Sequence, residues 1–304
     1  VETWLRPPDV LFVPAHTLPV LRKPGLKTVV TIHGLEYEFL PEYYQWPQKL
    51  WLNKSTEYAV RQVDKLIAVS EWTKKQLIER LGAKAEKIRV IYEGIGGRIM
   101  VAKDRQFKPD YLRQISHKYG LPKDYILFVG TIQPRKNLVR LIEAFSKVYK
   151  GPSFVKKDGP YLVIAGKLGW MYQGILATPG KFGAADRVKF IGRVAEADLA
   201  AVYKQAGLFV YPSLMEGFGL PVLEAMAMGI PVVCSNAGAL TEVAGEAALL
   251  INPERVEEIT QAMELVLNHE GLAQGLREKG FKRVQQFSWD LAARQTLETL
   301  IMVK

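Results

Sequence analysis

Short apolar runs rich in β-branched residues alternate with longer helical patterns along nearly all of the 304 residues. The first four apolar runs lie at 10–14, 27–33, 65–70 and 88–95, with helical patterns near 47–63 and 71–81 between them. Strands that alternate with helices are typical of βα units and of a parallel sheet covered on both faces. The pattern therefore predicts a first α/β domain.

A second block of the same kind begins at residue 125. Its six apolar runs predict strands at 125–131, 161–167, 188–193, 208–213, 231–236 and 247–252. Six parallel strands with helices between them make a complete doubly wound, Rossmann-like sheet. Ligands of such sheets bind at the carboxyl ends of the strands.

The segment 97–124 between the blocks is polar and charged, and Pro109 and Pro122 flank its short helical stretch. We therefore predict a first domain over 1–104 and a second over 105–286.

A helical tail follows Pro253, and we expect Gly271 and Gly275 to interrupt it. Ser288 precedes an amphipathic stretch and is a residue type that favours the N-cap. The segment 287–304 is therefore predicted to be a final helix.

The composition, 48% hydrophobic, is that of a globular chain. It contains no apolar run of about 18 residues and no signal peptide, which predicts a soluble or peripheral protein. The single cysteine, Cys234, excludes an internal disulfide and lies in an apolar run, so we expect an inert core thiol. A reducing cytoplasm fits this cysteine content.

The net charge of +10 is uneven, since residues 1–124 carry 21 Lys+Arg against 14 Asp+Glu, and residues 125–304 carry 20 against 17. The first part could favour an anionic membrane surface or a phosphorylated lipid acceptor, through pairs such as Lys74 and Lys75. Solvated helix faces explain most of these lysines equally well. Nucleic acid is not expected, because no helix-turn-helix, zinc or RNA-binding motif is present.

The most informative segment, YPSLMEGFGLPVLEAMAMGIP, places Glu216 and Glu224 around a glycine-flanked turn that opens a helix. Gly217 and Gly219 are expected to leave N–H groups bare at the positive end of the helix dipole. A carboxylate within that helix can accept hydrogen bonds from a vicinal diol. The segment therefore predicts a site for a sugar and a phosphate together.

This segment resembles the E-x7-E motif of the retaining nucleotide-sugar glycosyltransferases of family four, which have the two-domain GT-B fold. The resemblance implies two Rossmann-like doubly wound domains facing a cleft, with the final helix over 287–304 returning to the first domain. The match extends through E-G-F-G-L-P-x-x-E and A-M-A-x-G-x-P-V-V. The resemblance implies that Glu216 and the following backbone hold the donor sugar, at Gly217, Phe218, Gly219 and Leu220, and that Glu224 holds the ribose. A loop-to-helix junction whose carboxylates only cap and solvate is the competing interpretation.

A second cluster, T-I-Q-P-R-K-N, follows the first strand of the second block. Arg135 and Lys136 lie at a helix entrance, where cations stabilise the charge of a departing diphosphate. Family members have cations here, often an Arg directly after the strand glycine. Thr131 follows Gly130 in this chain, so the resemblance assigns the phosphate role to Arg135 and Lys136. Alternatively, Asn137 caps the helix and its basic neighbours are solvated.

Further donor contacts are implied by the resemblance alone. Arg193 and Val194 would lie beside the nucleotide base, and Gly130, Thr131 and Ser213 would border the donor.

His33 ends a buried strand, at the sheet edge where ligands bind in open α/β folds. Family members have a His at this point, often followed by Asp, and Gly34 replaces that Asp. We expect His33 to orient sugar and acceptor rather than to act as the base, although a structural histidine is the alternative.

The aromatic run containing Tyr43, Tyr44, Trp46 and Trp51 has three open interpretations: an acceptor platform, a membrane contact, or packing beneath the helix that follows. Packing is the favoured one.

The leading hypothesis is transfer of a hexose, mannose or glucose, from a nucleotide-diphosphate sugar to a glycan or lipid-linked acceptor. It would proceed with retention, in the cytoplasm or at the inner face of the membrane. The family's mechanism needs no side-chain nucleophile, and the sequence has no nucleophile elbow, Walker loop, HExxH or Cys/His cluster. The absence of a D-x-D motif predicts metal independence, and no cofactor is expected beyond the donor.

Three alternatives stay open. A glycoside hydrolase would use Glu216 and Glu224 as acid and nucleophile, and a nucleotide-sugar epimerase would share the architecture. The resemblance also begins late, and roughly 80 or more residues of a usual domain of ~150 are expected to be absent. The third alternative is thus a catalytically impaired nucleotide-sugar-binding fragment, or part of a split enzyme that needs a complementary N-terminal segment or an oligomer.

Overall fold

The computed structural model describes residues 2–44, 46–103, 106–151 and 159–304. The chain groups into two compact units. The first comprises Val1–Gly94, Glu216–Phe218 and Phe287–Lys304, and the second comprises Ile95–Met215 and Gly219–Gln286. The predicted boundary between residues 104 and 105 lies outside the described residues, and the domain ranges stay a prediction.

The first unit contains a four-stranded parallel sheet in the order β1-β2-β3-β4. The strands are β1 Val10–Val13, β2 Lys27–Ile32, β3 Lys65–Ala68 and β4 Ile88–Val90. In this register Val10 lies opposite Lys27, and Val29 opposite Lys65. All four lie within the predicted apolar runs.

Helices cover both faces of this sheet. They are α1 Glu2–Leu5, α2 Glu36–Phe39, α3 Trp46–Gln62, α4 Glu71–Leu81 and α15 Trp289–Val303. Leu66 and Val30 point into the core shared with α3 and α4, whereas Val29 and Ile67 pack with Ala292 of α15 on the opposite face. The alternation of side chains along a strand explains why both faces are apolar.

The predicted cap of the last helix is confirmed, since Ser288 Oγ accepts a hydrogen bond from the Asp290 N–H. The prediction that the aromatic run packs beneath the helix that follows is wrong for Trp46 and Trp51. Trp46 is 74% exposed and Trp51 is 55% exposed. Tyr44 does pack, edge-on against the buried Tyr37. The helix α3 buries Thr56, Ala59 and Val60 instead, so its first turns leave the indoles outside the core.

The second unit contains a six-stranded parallel sheet in the order β10-β9-β8-β5-β6-β7. Its strands are β5 Tyr125–Val129, β6 Tyr161–Ala165, β7 Val188–Gly192, β8 Leu208–Tyr211, β9 Val232–Ser235 and β10 Leu249–Ile251. This is the predicted doubly wound order, in which the chain builds one half outward from β5 and the other outward from β8.

Along the chain, the helices of the second unit precede, alternate with and follow its six strands. They are α5 Gly97–Lys103, α6 Pro109–Tyr119, α7 Leu138–Lys150, α8 Gln173–Leu176, α9 Thr178–Lys181, α10 Glu196–Lys204, α11 Leu220–Ala227, α12 Leu240–Ala244, α13 Val256–Asn268 and α14 Glu270–Arg283. None of the described helices, in either unit, is long and apolar enough to cross a bilayer.

Two features of these helices differ from the sequence expectations. Gly271 and Gly275 do not interrupt the tail, because both lie inside α14 and the break falls at His269. Each glycine weakens a helix by about 1 kcal/mol, which packing of α14 on α11 and α13 offsets. The helix α5 was not predicted, because the segment 97–124 as a whole is polar and charged, although α5 itself contains the apolar run from Ile99 to Ala102.

The four central strands of the second sheet, β5, β6, β8 and β9, are almost entirely buried, including Leu127, Val163, Phe209 and Val233, whereas the edge strands β7 and β10 are partly exposed. Cys234 lies in this core, and burial raises the pKa of its thiol to about 12. The expectation of an unreactive core thiol is therefore supported.

A close backbone approach joins the ends of β5 and β6. The Gly130 N–H donates to the Ala165 carbonyl at 2.9 Å. A Cβ built on Gly166 would lie 1.8 Å from the carbonyl oxygen of Gly130. Only a residue without a side chain fits there unless the strand ends separate.

We expect Gly166→Ala to lower the free energy of unfolding by roughly 2–4 kcal/mol, because the added methyl forces these strand ends apart. Gly174→Ala is the matched control, since Gly174 lies in α8 with open space around its Cα and alanine favours helices. Urea denaturation measures both. Equal stability of the Gly166 variant and the wild type would contradict the close approach.

Candidate functional site

The strand order of the second sheet fixes where a ligand site can form. The direction of winding reverses between the adjacent strands β5 and β8. In open α/β sheets a crevice forms at this reversal, outside the carboxyl ends of the strands. The predicted cations follow β5, and the predicted glycine-flanked turn follows β8.

Asn137 joins these two loops. Its side-chain Nδ2 donates to the carbonyl of Pro212 at 3.1 Å and to that of Pro253 at 2.6 Å. The residue is 3% exposed and has a left-handed backbone conformation with φ of 58°. The alternative in which Asn137 caps α7 is wrong, because its side chain makes no capping hydrogen bond. Its amide serves tertiary structure instead.

Arg135 lies in the short 3-10 helix Pro134–Lys136. Its Nη1 donates to the Met215 carbonyl at 3.0 Å, and its own carbonyl accepts from the Leu214 N–H at 2.9 Å. Ser213, fully buried, donates its hydroxyl to the same Arg135 carbonyl at 3.2 Å. Arg135 and Ser213 thus hold the two loops together at the crevice.

Lys136 is 6% exposed, so it is a buried cation. Its Nζ donates to the hydroxyl of Tyr211, the last residue of β8, at 2.5 Å and lies 4.9 Å from the centre of that ring. A buried ammonium is strongly unfavourable unless it is paired and hydrogen-bonded. This cation is therefore fixed in place at the end of the sheet.

Glu224 lies in the second turn of α11, and Tyr203 of α10 donates its hydroxyl to Glu224 Oε2 at 2.9 Å. Burial raises the pKa of Glu224, while the Tyr203 hydrogen bond lowers it. Tyr203 was not predicted from the sequence to contact Glu224. Nothing in the pattern of an amphipathic helix indicates that a tyrosine hydroxyl contacts a carboxylate 21 residues later in the chain.

The turn before α11 requires a glycine. Gly219 has φ of 114°, and a Cβ there would lie 2.4 Å from Leu240 Cδ2. Leu220, the first residue of α11, is partly exposed. The helix thus starts abruptly, with its first N–H groups near the loop after β8.

A cavity of about 310 Å3 lies at the carboxyl ends of β5, β6 and β7. Four of the predicted donor contacts line it together, namely Gly130, Thr131, Arg193 and Val194. Gly166 and Lys167 also line it, and neither was predicted from the sequence to be a site residue. Gly166 could have been identified, because a glycine directly after a strand marks a close backbone approach.

Glu216, Gly217 and Phe218 group with the first unit. Glu216 is 7% exposed, and the Phe218 ring lies edge-on to Phe287 at 5.7 Å. The Gly217 N–H donates to Glu36 Oε1 at 2.9 Å. The expectation that this N–H is bare is therefore wrong. The Gly217 carbonyl accepts from Ser70 Oγ at 2.8 Å.

His33 extends from the end of β2 with both ring nitrogens facing acceptors. Nδ1 lies 2.8 Å from Glu93 Oε1, and Nε2 lies 2.8 Å from the Pro14 carbonyl oxygen. Only an imidazolium, with a proton on each nitrogen, satisfies both acceptors. The hydrogen bond to Glu93 raises the pKa of His33 despite its partial burial. Glu93 was not singled out in the sequence.

The neighbourhood of His33 explains two local features. His16 is held neutral, because burial and the charge of His33 lower its pKa to about 4, and it accepts the His33 backbone N–H at 3.3 Å. A Cβ on Gly34 would lie 2.7 Å from the Glu36 carboxylate. Glu36 therefore places a carboxylate beside position 34, where family members often have Asp.

The structure places most predicted donor residues within the second unit, in two groups. The segments that follow β5 and β8 contain Arg135, Lys136, Ser213, Gly219, Leu220 and Glu224, and the cavity is lined by Gly130, Thr131, Arg193 and Val194. His33 and Glu216 to Phe218 belong to the first unit. The ligand roles of all these residues stay predictions.

We expect Glu93→Gln to lower the pKa of His33, because the acceptor that favours the imidazolium loses its charge. A raised histidine pKa stabilises the folded state below the unfolded pKa, and this contribution is lost as pH rises through the folded value. The variant should therefore lose stability at pH 5.5 but little at pH 9, by at most about 1 kcal/mol since His33 is partly exposed.

Nuclear magnetic resonance titration of the His33 ring and urea denaturation at both pH values measure these effects. Glu298→Gln is the control, because it removes an exposed carboxylate that pairs with Arg89 and touches no histidine. An unchanged His33 titration in Glu93→Gln would refute the assignment.

Comparison with known proteins gives two family matches. Residues 113–283 match the family described as glycosyl transferases group 1, and residues 2–96 match glycosyltransferase family 4. Among curated relatives, O-antigen chain mannosyltransferase B of Escherichia coli is 29% identical over 272 residues, which are 89% of this chain and 69% of the relative. The serotype-specific mannosyltransferase WbdA of Escherichia coli is 29% identical over 290 residues. This chain covers 34% of the length of WbdA.

Among solved structures, Alr3699/HepE of Anabaena in complex with UDP-glucose has a TM-score of 0.76 at 21% identity. The match covers 91% of this chain and 72% of that one. Two parallel α/β units and this likeness establish the GT-B fold. The chain belongs to the glycosyl transferases group 1 family, as the resemblance in its E-x7-E segment had implied.

Proposed function

We propose that the protein transfers a hexose, mannose or glucose, from a nucleotide-diphosphate sugar to a glycan or lipid-linked acceptor, with retention at the anomeric carbon. Family membership supports glycosyl transfer, and the mannosyltransferase relatives support mannose. The complexes of Alr3699/HepE with UDP and with UDP-glucose support a nucleotide-sugar donor.

One observation carries the proposal: two cations and a partly buried carboxylate follow the adjacent strands β5 and β8. Arg135 and Lys136 lie in the loop after β5, and Glu224 lies in α11, the helix that follows β8. A diphosphate needs cations, and a ribose diol needs a hydrogen-bond acceptor. A glycoside hydrolase would have no use for the Arg and Lys pair.

The proposed chemistry assigns distinct roles to these groups. The bond between the anomeric carbon and the diphosphate oxygen breaks, and a bond to the acceptor oxygen forms on the same face. The departing phosphate oxygen takes the acceptor proton, so no side-chain base is required. Arg135 and Lys136 stabilise the charge that develops on that oxygen. The reaction is proposed to be independent of metal ions.

Within the first unit, an apolar cavity of about 420 Å3 favours the lipid-linked form of the acceptor. His33 and Glu93 are among its polar lining residues, and Phe12, Ile67 and Leu300 are among its apolar ones. An alkyl or isoprenoid chain would bury apolar surface there, which a free glycan would not. His33 would then orient the acceptor, as predicted from its position.

Isothermal titration calorimetry against UDP, GDP and ADP sugars tests the donor. We expect one of them to bind and Glu224→Ala to weaken that binding by about tenfold or more, since a hydrogen bond to a charged group contributes about 1.5–3 kcal/mol. Glu264→Ala is the control, because it changes a glutamate of α13 outside the crevice. Equal affinity of Glu224→Ala and the wild type for the donor would contradict the proposed contact between Glu224 and the ribose.

Turnover is measured with the donor that binds, with and without EDTA. Transfer to a polyprenyl-linked acceptor at the same rate in both supports the proposal. Release of free sugar would support a hydrolase instead, and binding without any turnover would favour a nucleotide-sugar-binding fragment or one part of a split enzyme.

The protein is also proposed to bind the cytoplasmic face of an anionic membrane peripherally. Trp46, Leu50 and Trp51 are exposed on successive turns of α3, and exposed Lys54 follows on the same side. Exposed indoles next to basic side chains are typical of helices that lie in a membrane interface. The charge excess of residues 1–124 has the matching sign.

Flotation with vesicles of phosphatidylcholine and phosphatidylserine tests this surface. We expect Trp46→Ala with Trp51→Ala to reduce the floated fraction severalfold, and neutral substitutions of Lys74 and Lys75 to reduce it further. Trp4→Ala removes an equally exposed tryptophan of α1 and should leave flotation unchanged. Unchanged flotation after the α3 substitutions would eliminate the proposed surface.

A further inference from the structure

We propose that Tyr203 and Tyr211 are positioning residues of the donor site, each fixing one charged side chain through a buried phenol hydroxyl. Tyr203 would hold the carboxylate of Glu224 for the ribose, and Tyr211 would hold the ammonium of Lys136 for the diphosphate. The identity of the ligand rests on the proposed function, whereas the two anchors rest on the geometry.

Tyr203 is fully buried, and its hydroxyl donates to Glu224 Oε2 at 2.9 Å. A buried phenol needs a hydrogen-bond partner, and this carboxylate accepts from it. A carboxylate has about four acceptor positions, and this bond uses one of them. The remaining positions suffice for both hydroxyls of a ribose, with the carboxylate already oriented.

The same bond favours the charged form that a diol requires. Burial raises the pKa of Glu224, and the Tyr203 hydroxyl is the group that acts against this by stabilising the carboxylate. Burial, Glu224 and Tyr211 together raise the pKa of Tyr203 well above its usual value, so it stays a donor. Without this hydroxyl, Glu224 would take up a proton at higher pH and lose acceptor capacity.

Tyr211 has the corresponding relation to Lys136. It is 1% exposed at the end of β8, and its hydroxyl accepts from Lys136 Nζ at 2.5 Å. This bond restricts a side chain that otherwise has four rotatable bonds. The cation is thereby held before a phosphate arrives.

A continuous row of rings connects the two anchors. Tyr203 lies 5.6 Å from Phe209, Phe209 lies 5.9 Å from Tyr211, and Tyr211 stacks on Phe128 at 5.5 Å. Close-packed aromatic side chains of a sheet core have little freedom to move. The distance between the two hydroxyls is therefore set by the core of the second unit, which suits a ligand with a fixed spacing between ribose and diphosphate.

Three tyrosine-to-phenylalanine variants test the proposal. Tyr203→Phe and Tyr211→Phe each remove one anchor. Tyr125→Phe is the matched control, because Tyr125 is 2% exposed in the same sheet and its hydroxyl donates to the Val202 carbonyl at 2.6 Å. Tyr125→Phe therefore measures how ligand affinity changes when a buried tyrosine hydroxyl that contacts no charged side chain is lost.

Affinities are measured by calorimetry for whichever of UDP, GDP and ADP binds most tightly, for its 2′-deoxy analogue, and for inorganic pyrophosphate. We expect Tyr203→Phe to weaken the nucleotide about tenfold, the 2′-deoxy analogue less than about threefold, and pyrophosphate not at all. Tyr211→Phe should weaken the nucleotide and pyrophosphate alike. Tyr125→Phe should change each affinity less than about twofold.

A measurement without ligand examines the Tyr203 anchor separately. Glutamate labelled with 13C at the carboxyl carbon allows Glu224 to be titrated by nuclear magnetic resonance. We expect Glu224 to titrate at a higher pH in Tyr203→Phe than in the wild type and in Tyr125→Phe, because the carboxylate loses a stabilising donor.

Several results would overturn the proposal. Equal losses for the nucleotide and its 2′-deoxy analogue, or an unchanged Glu224 titration in Tyr203→Phe, would remove the role of Tyr203. A Tyr211→Phe variant that binds pyrophosphate as the wild type does would remove that of Tyr211. Failure of the wild type to bind UDP, GDP and ADP would instead overturn the proposed function, and the titration would then decide on the Tyr203 anchor by itself.

Discussion

The side-chain amide of Asn137 is the interaction on which the arrangement of the second unit most depends. It hydrogen-bonds to carbonyls in the loops after β8 and β10, while its own backbone directs the chain from the loop after β5 into α7. A buried amide left without partners would be strongly unfavourable, so these loops hold one relative position. Three separate chain segments at the carboxyl edge of the second sheet meet at this one side chain.

The sequence predicted the framework of both units well, because the relevant forces are local or periodic. Each described strand lies in an apolar run that alternation and turn residues delimit, and the Ser288 cap depends on neighbours within two residues. The position proposed for the site follows from one rule about parallel sheets. Gly219 indicated the turn that opens α11, where the structure has a positive φ.

Contacts between distant residues could not be predicted in the same way. The hydroxyl of Tyr203 meets Glu224, and His33 meets Glu93, only because separate strands and helices converge. The alternative in which Asn137 caps a helix fits its residue type and position, but the structure shows its amide hydrogen-bonded to distant carbonyls instead. The exposure of Trp46 likewise depends on which face of α3 the core covers.

A nucleotide diphosphate is proposed to bind at the carboxyl ends of β5 and β8, with its ribose at Glu224. A crystal structure of the protein with its preferred nucleotide diphosphate tests this most directly. It should show ribose oxygens about 2.6–3.2 Å from the Glu224 carboxylate and the diphosphate beside Lys136. A nucleotide bound at the amino ends of the strands, or one whose ribose makes no contact with Glu224, would contradict the account.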